Sequence, residues 1–252
     1  MSIVWTNRDL KFLHHEYIRE YDIRSANTSL MSYYGLMPDK DIEKIAAMDR
    51  DEREITVGKL MRKSPEFSRG LEKAFTDIVE EFISVNGLDR DNDIISIKKD
   101  AVFVRNRHVK QTRFGESVQF RPKGEYGGFI QIPGFEFYWK TGDRGFDVKG
   151  ISDDLLPLHK EGVLDLMRSI FKESNSTLDL WRFLKEYASC YKRKDLPFAA
   201  YRQFDNSSKF LVHMMNQDIL MDNINEGMLE YLDISFNYLN VYLECLKVVL
   251  ER

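Results

Sequence analysis

The stretch Asp93-Ile94-Ile95-Ser96-Ile97-Lys98-Lys99-Asp100-Ala101-Val102-Phe103-Val104-Arg105 decides the fold. Two runs rich in Ile, Val and Phe, Asp93–Lys98 and Ala101–Arg105, flank a polar Lys-Asp step and predict a pair of strands joined by a turn. A carboxylate set against such apolar runs is costly to bury alone. Asp100 is therefore a turn residue beside Lys99, half of an ion pair, or a metal ligand.

Working upstream, Ser64-Pro65 is a helix start, because Ser caps and Pro fits the first turn. Phe67, Leu71, Phe75, Ile78, Val79 and Phe82 then form an apolar stripe at helical spacing. Asn86-Gly87 ends that helix near Val85. Asp39–Arg53 predicts a charged helical excursion, and Ala26–Leu36 a helix with Gly35 near its end. Glu16–Ile23 predicts a strand ending at Asp22, a second carboxylate between apolar neighbours. Asp22 by itself fits a helix N-terminus, with Ser25 or Asn27 as the cap.

Downstream, Ser117–Arg121, Tyr126–Ile132 and Phe135–Thr141 are strand candidates separated by turns. From Asp153 the pattern is helical, over Leu155–Glu173, Thr177–Tyr191 and a long final stretch from about Asn216 to Glu251. The order of strand, helices, long helix, sheet and helices predicts the α+β class.

Composition narrows the function classes. Of 252 residues, 43% are hydrophobic and 13% aromatic, which suits a packed globular protein. No apolar run approaches the roughly 20 residues of a membrane span, and the first ten residues lack a signal-peptide core. Cys190 and Cys245 give no disulfide framework and no metal pattern, so the expected setting is cytoplasmic, with no membrane partner. The five His residues have no zinc spacing. There is no phosphate-cradling P-loop and no nucleophile elbow. The net charge of −4 conceals eight Lys and Arg between Lys98 and Lys123, against Asp100 and Glu116. Such a cluster suits either a solvated surface or a phosphate backbone.

Taken in order, five segments resemble the family-B DNA polymerases. That family's first motif, D-x-x-S-L-Y-P-S-I-M, is similar to Asp22-Ile-Arg-Ser25-Ala26-Asn27-Thr28-Ser29-Leu30-Met31. Its finger motif, K-L-x-x-N-S-x-Y-G, is echoed by Lys59-Leu60-Met61-Arg62-Lys63-Ser64. Its third motif, Y-G-D-T-D-S-I-F-V, aligns with Ser96 to Val104, placing Asp100 on the second Asp and Lys98 on the first. Lys123-Gly-Glu-Tyr126 resembles K-K-x-Y, and Lys149-Gly150 a later K-G.

The resemblance implies an antiparallel-sheet palm over residues 1–152, with reduced fingers inserted at about 36–90 and a helical thumb-like region over 153–252. It implies a minimal polymerase or primase that adds nucleotides to a 3′ end. Asp22 and Asp100 would be catalytic and, with Ile23, would hold Mg²⁺ or Mn²⁺. Lys59 would neutralise the incoming triphosphate, with Arg62, Lys63 and Arg69 competing for the role. Lys123 and Tyr126 would hold the primer end, and Lys149 a nucleic-acid phosphate. Asn27 replaces the Tyr that lies beneath the sugar, so ribonucleotides become admissible. The implied partners are a DNA or RNA primer–template, nucleoside triphosphates and other replication or transcription proteins. The competing reading is a non-catalytic palm-derived module that binds nucleic acid or docks in such a complex.

Overall fold

The computed structural model describes residues 4–142, 144–150, 156–173, 176–197, 201, 210–215, 217–222 and 225–231. These elements are α+β, and every strand pairing whose register is given is antiparallel. The chain forms two compact units, one of Met1–Asp9 with Tyr17–Glu125 and one of Leu10–Glu16 with Tyr126–Arg252. The units divide inside two long strands, β2 (Phe12–Ile23) and β6 (Val118–Ile132), each of which gives one part to each unit.

In the first unit, β1 (Val4–Thr6) pairs with β3 (Ile94–Lys98), β3 with β4 (Ala101–Arg105), and β4 with β2. The predicted hairpin is present. Lys98 opposes Ala101, which leaves Lys99-Asp100 as the turn, with Lys99 at a left-handed φ of +54°. Four successive residues in each hairpin strand are buried, so their apolar runs serve both faces of the sheet. The short β5 (Arg113–Phe114) pairs with the start of β6.

Four helices connect β2 to β3: α1 (Ala26–Tyr33), α2 (Asp39–Ala46), α3 (Arg50–Lys63) and α4 (Pro65–Val85). The Ser64 hydroxyl accepts the Phe67 N–H at 3.2 Å, and Gly87 closes the other end of α4 at a φ of +59°. Leu71, Phe75, Ile78, Val79 and Phe82 of α4 are buried in the core with Ile94, Ile97 and Val102. Each such side chain contributes about 1.5–3 kcal/mol by leaving water. The charged excursion is two helices, because the Asp49 carboxylate accepts the Glu52 N–H at 2.9 Å and starts α3 afresh. That helix runs ten residues beyond the expected end at Arg53.

The second unit joins the rest of β6 to β7 (Phe135–Lys140), and β7 to β8 (Phe146–Lys149). The two strands expected over 117–121 and 126–132 are one, since β6 continues through an exposed Arg121–Lys123. Helices α5 (Leu156–Glu173) and α6 (Thr177–Arg193) follow. Met167, Ile170, Phe171, Leu180 and Leu184 form a core with Ile130, Ile132 and Phe137.

The expected final helix is not what Gln217–Met221 forms. β9 (Phe210–Met214) and β10 (Gln217–Met221) make a hairpin, with Met215 at a φ of +53°, and a 3-10 turn spans Glu226–Tyr231. The backbone of β9 and β10 pairs in antiparallel register, Val212 opposite Ile219 and Leu211 opposite Leu220, where the spacing of Leu and Met had suggested a helix. Residues 232–252 of that expected helix lie outside the described residues. No described helix is long and apolar enough to cross a membrane.

Candidate functional site

All the residues lining the candidate site belong to the first unit. β2 delivers Asp22 opposite Ala101, and the Ile23 N–H donates to the Asp100 carbonyl at 3.1 Å. The strand end and the hairpin turn are thus tied backbone to backbone, one residue from each carboxylate or less. Burial, and after it the charge of Asp22, raises the Asp100 carboxyl above its ordinary value, against the opposing charges of Lys99 and Lys123. Two acids therefore face a common space, and the charge of Asp22 disfavours ionisation of Asp100.

Immediately past Ile23 the chain turns. Arg24 N–H donates to Gln119 O at 3.0 Å, and Ser25 adopts the left-handed conformation at the N-cap of α1. Contrary to the capping role considered for it, the Ser25 side chain makes no cap bond; Thr28 Oγ1 donates to Ser25 O at 3.1 Å instead. This turn sets Asn27 on the wall of a cavity of about 870 Å³, within the usual range for small-molecule sites. Asn27 Oδ1 is buried and has no hydrogen-bond partner.

Helix α3 supplies another part of the lining. Arg50, Arg53, Glu54, Val57, Gly58 and Met61 line the cavity, a succession that follows one helical face. The expected triphosphate cations lie elsewhere. Lys59 is exposed and is two residues from Val57, so it points away from that face. Arg62 donates to Gly58 O at 3.2 Å, Lys63 is the exposed last residue of α3, and Arg69 is exposed on α4; none lines the cavity. The cations brought to the cavity are Arg50, Arg53, Lys99, Arg121 and Lys123.

Lys123 reaches back to the acids. Its Nζ lies 2.7 Å from Asp22 Oδ2 and 3.7 Å from Glu20 Oε1. Burial works against its ammonium, but the bond to Asp22 and the charges of Glu20, Asp22 and Asp100 outweigh burial and hold its pKa above the ordinary value.

The family model of the bacteriophage PBS1 gene 130 protein matches residues 3–251. The chain belongs to the bacteriophage PBS1 gene 130 protein family. That description names a phage gene product and no activity. Comparison with curated proteins finds no match.

In this gene 130 family member the remaining expected site residues lie in the second unit. Tyr126 is buried, and its hydroxyl donates to Asp147 Oδ2 at 2.5 Å. Lys140 Nζ lies 3.4 Å from Asp147 Oδ1. Burial alone would raise the Asp147 carboxyl, but the Tyr126 bond and the charges of Lys149 and Lys140 lower it below its ordinary value. Tyr126 and Lys149 are thereby engaged with Asp147. Of the basic stretch, Lys98 Nζ donates to Thr6 Oγ1 at 3.0 Å and Arg107 pairs with Asp93 at 3.2 Å, so the eight cations do not all serve the cavity.

Among the described residues, no group of three or more His, Cys, Asp and Glu is arranged to hold a metal ion. The donor set present still fits Mg²⁺, which takes one or two carboxylates and completes its shell with water and substrate phosphate. Asp22 and Asp100, with the Ile23 carbonyl beside them, would hold it.

The sequence did not single out Arg50 and Arg53. The available signal was Asp49, an N-cap residue followed by Asp51 and Glu52 in the first turn. Reading a helix start there sets the register of α3 and turns both arginines to one face with Val57 and Met61.

Proposed function

We propose that this chain is a metal-dependent, template-directed nucleotidyltransferase of the polymerase or primase kind. The observation that carries the reading is the union of Asp22 and Asp100 at one cavity, across a strand end and a hairpin turn. Nucleotidyl transfer asks for converging carboxylates and for cations lining the same cavity. Bound Mg²⁺ would supply charge neutralisation for the attacking and leaving oxygens. Asp22 and Asp100 hold and orient that charge, Arg50 and Arg53 take the triphosphate, and Asn27 faces the sugar. The sheet of the first unit serves as the palm, α2 and α3 as reduced fingers, and α5 and α6 as the thumb-like part. The substrates are nucleoside triphosphates and a DNA or RNA primer–template.

Lys98 favours the second reading, a non-catalytic nucleic-acid-binding or docking module. It stands where the resembled family keeps another acid, and it is engaged with Thr6. Crystals soaked with Mn²⁺ and nucleoside triphosphate separate the two. The catalytic reading expects an anomalous peak within bonding distance of both carboxylates, about 2–2.5 Å. A nucleotide-bound crystal with no such peak would leave only the docking reading.

A further inference from the structure

We propose that Lys123 is an internal counter-ion that competes with the metal for Asp22, so that metal entry displaces its ammonium. This inference rests on Asp22 and Asp100 being the metal carboxylates. The Lys123 ammonium contacts the same carboxylate the metal needs, at 2.7 Å, and its side chain is 58% exposed, free enough to leave.

The partner it would retain is Glu20. Two residues before Asp22, Glu20 shares a face of β2 with it, and its side chain is only 3% exposed. A buried carboxylate needs a compensating charge in either state. At 3.7 Å from Glu20, Lys123 provides one while it also contacts Asp22 at 2.7 Å.

The two states then balance. Without metal, Lys123 neutralises part of the repulsion between Asp22 and Asp100. With metal, the divalent cation does so, and the released ammonium faces the cavity, where a substrate phosphate is its natural partner. Lys123 is therefore a positioning residue that keeps Asp22 oriented while the metal is away.

The test is Mn²⁺ affinity, measured by calorimetry and by the paramagnetic signal of free Mn²⁺, with no turnover involved. Parent, Lys123→Met, Lys123→Arg and Asp22→Ala proteins are compared, with thermal melts to establish that each is folded. Lys123→Met should bind Mn²⁺ about fivefold more tightly, the size of a partly exposed ion pair, and should melt lower than the parent without metal. Lys123→Arg, which keeps the competing charge, should stay near the parent. Equal or weaker Mn²⁺ binding by folded Lys123→Met would overturn the competition, while loss of binding in Asp22→Ala would leave the metal site standing. Absence of Mn²⁺ binding in parent and Lys123→Met alike would instead remove the metal site itself, and the inference with it.

Discussion

The Ile23 N–H donates to the Asp100 carbonyl at 3.1 Å, and this one bond locks the end of β2 to the β3–β4 turn. It joins segments nearly eighty residues apart in sequence, with α1 to α4 folded between them. Because the bond is made by backbone groups, either carboxylate can be replaced without removing it. Loss of function in an Asp22 or Asp100 variant therefore reports on the side chain.

The cationic wall of the cavity gives the first prediction. Arg53→Ala should raise the KM for nucleoside triphosphate severalfold, and Arg50→Ala less, because Arg50 is exposed and already paired with Glu54 at 3.1 Å. Lys59→Ala and Arg62→Ala should remain within about twofold, since surface cations contribute little. Steady-state kinetics with varied nucleotide decides it. A large Lys59 effect beside silent arginines would reverse the orientation assigned to α3.

On the proposed reading, Asn27 should govern the choice of sugar. Its Oδ1 has no partner, and the residue lines the cavity on the turn after Asp22. The parent should accept ribonucleotides alongside deoxynucleotides, and Asn27→Tyr should shift the kcat/KM ratio towards deoxynucleotides by at least about tenfold, or 1.4 kcal/mol. Paired incorporation assays with the two sugars measure the ratio. A parent that strongly rejects ribonucleotides would refute this role.

The pH dependence of stability follows from Asp100. Burial first, and then the charge of Asp22, raises its carboxyl above the ordinary value. The folded state then holds that proton more tightly than the unfolded chain does. Ionised Asp100 therefore costs stability at neutral pH, and the cost is relieved as pH falls through the folded value. Asp100→Asn should melt above the parent at pH 7 without metal, and the gap should narrow as pH approaches the carboxylate range. Saturating Mn²⁺ should reverse the order at pH 7, because metal stabilises only a protein that binds it. Asp100→Asn melting below the metal-free parent at pH 7 would show that its charge is not a burden.

Gly150 is constrained by backbone packing. Its φ is +105°, and a Cβ built there would lie 2.1 Å from the Gly134 carbonyl oxygen. Gly150→Ala should destabilise the second unit by about 1–3 kcal/mol or more, because a backbone carbonyl cannot rotate aside as a side-chain end can. Hydrogen exchange resolved to β7 and β8 would register this, and unchanged protection there would contradict it.

Local chemistry made much of this fold legible. Ser64-Pro65 and Asn86-Gly87 bounded α4, and the apolar runs about Lys99-Asp100 marked the hairpin because both signals lie within a few residues. The carboxylate pair was legible only through the order of motifs, since no local rule joins Asp22 to Asp100. Arg50 and Arg53 were hidden by treating Asp39–Arg53 as one helix, which lost the restart at Asp49 and hence the rotation of α3. The β9–β10 hairpin was hidden because Leu and Met suit helix and strand alike, and strand pairing is a contact between segments that no local pattern reveals.

The central claim is most directly tested by single-nucleotide extension of a labelled primer–template with Mg²⁺ or Mn²⁺. Parent, Asp22→Ala and Asp100→Ala proteins are assayed side by side after melts show that all three are folded. The parent should lengthen the primer by one templated nucleotide, and each variant should lose at least about a thousandfold in rate, or roughly 4 kcal/mol of transition-state stabilisation. Templated extension that persists in either variant, or none by the parent with metal and both nucleotide types present, would contradict the assignment of this cavity to nucleotidyl transfer.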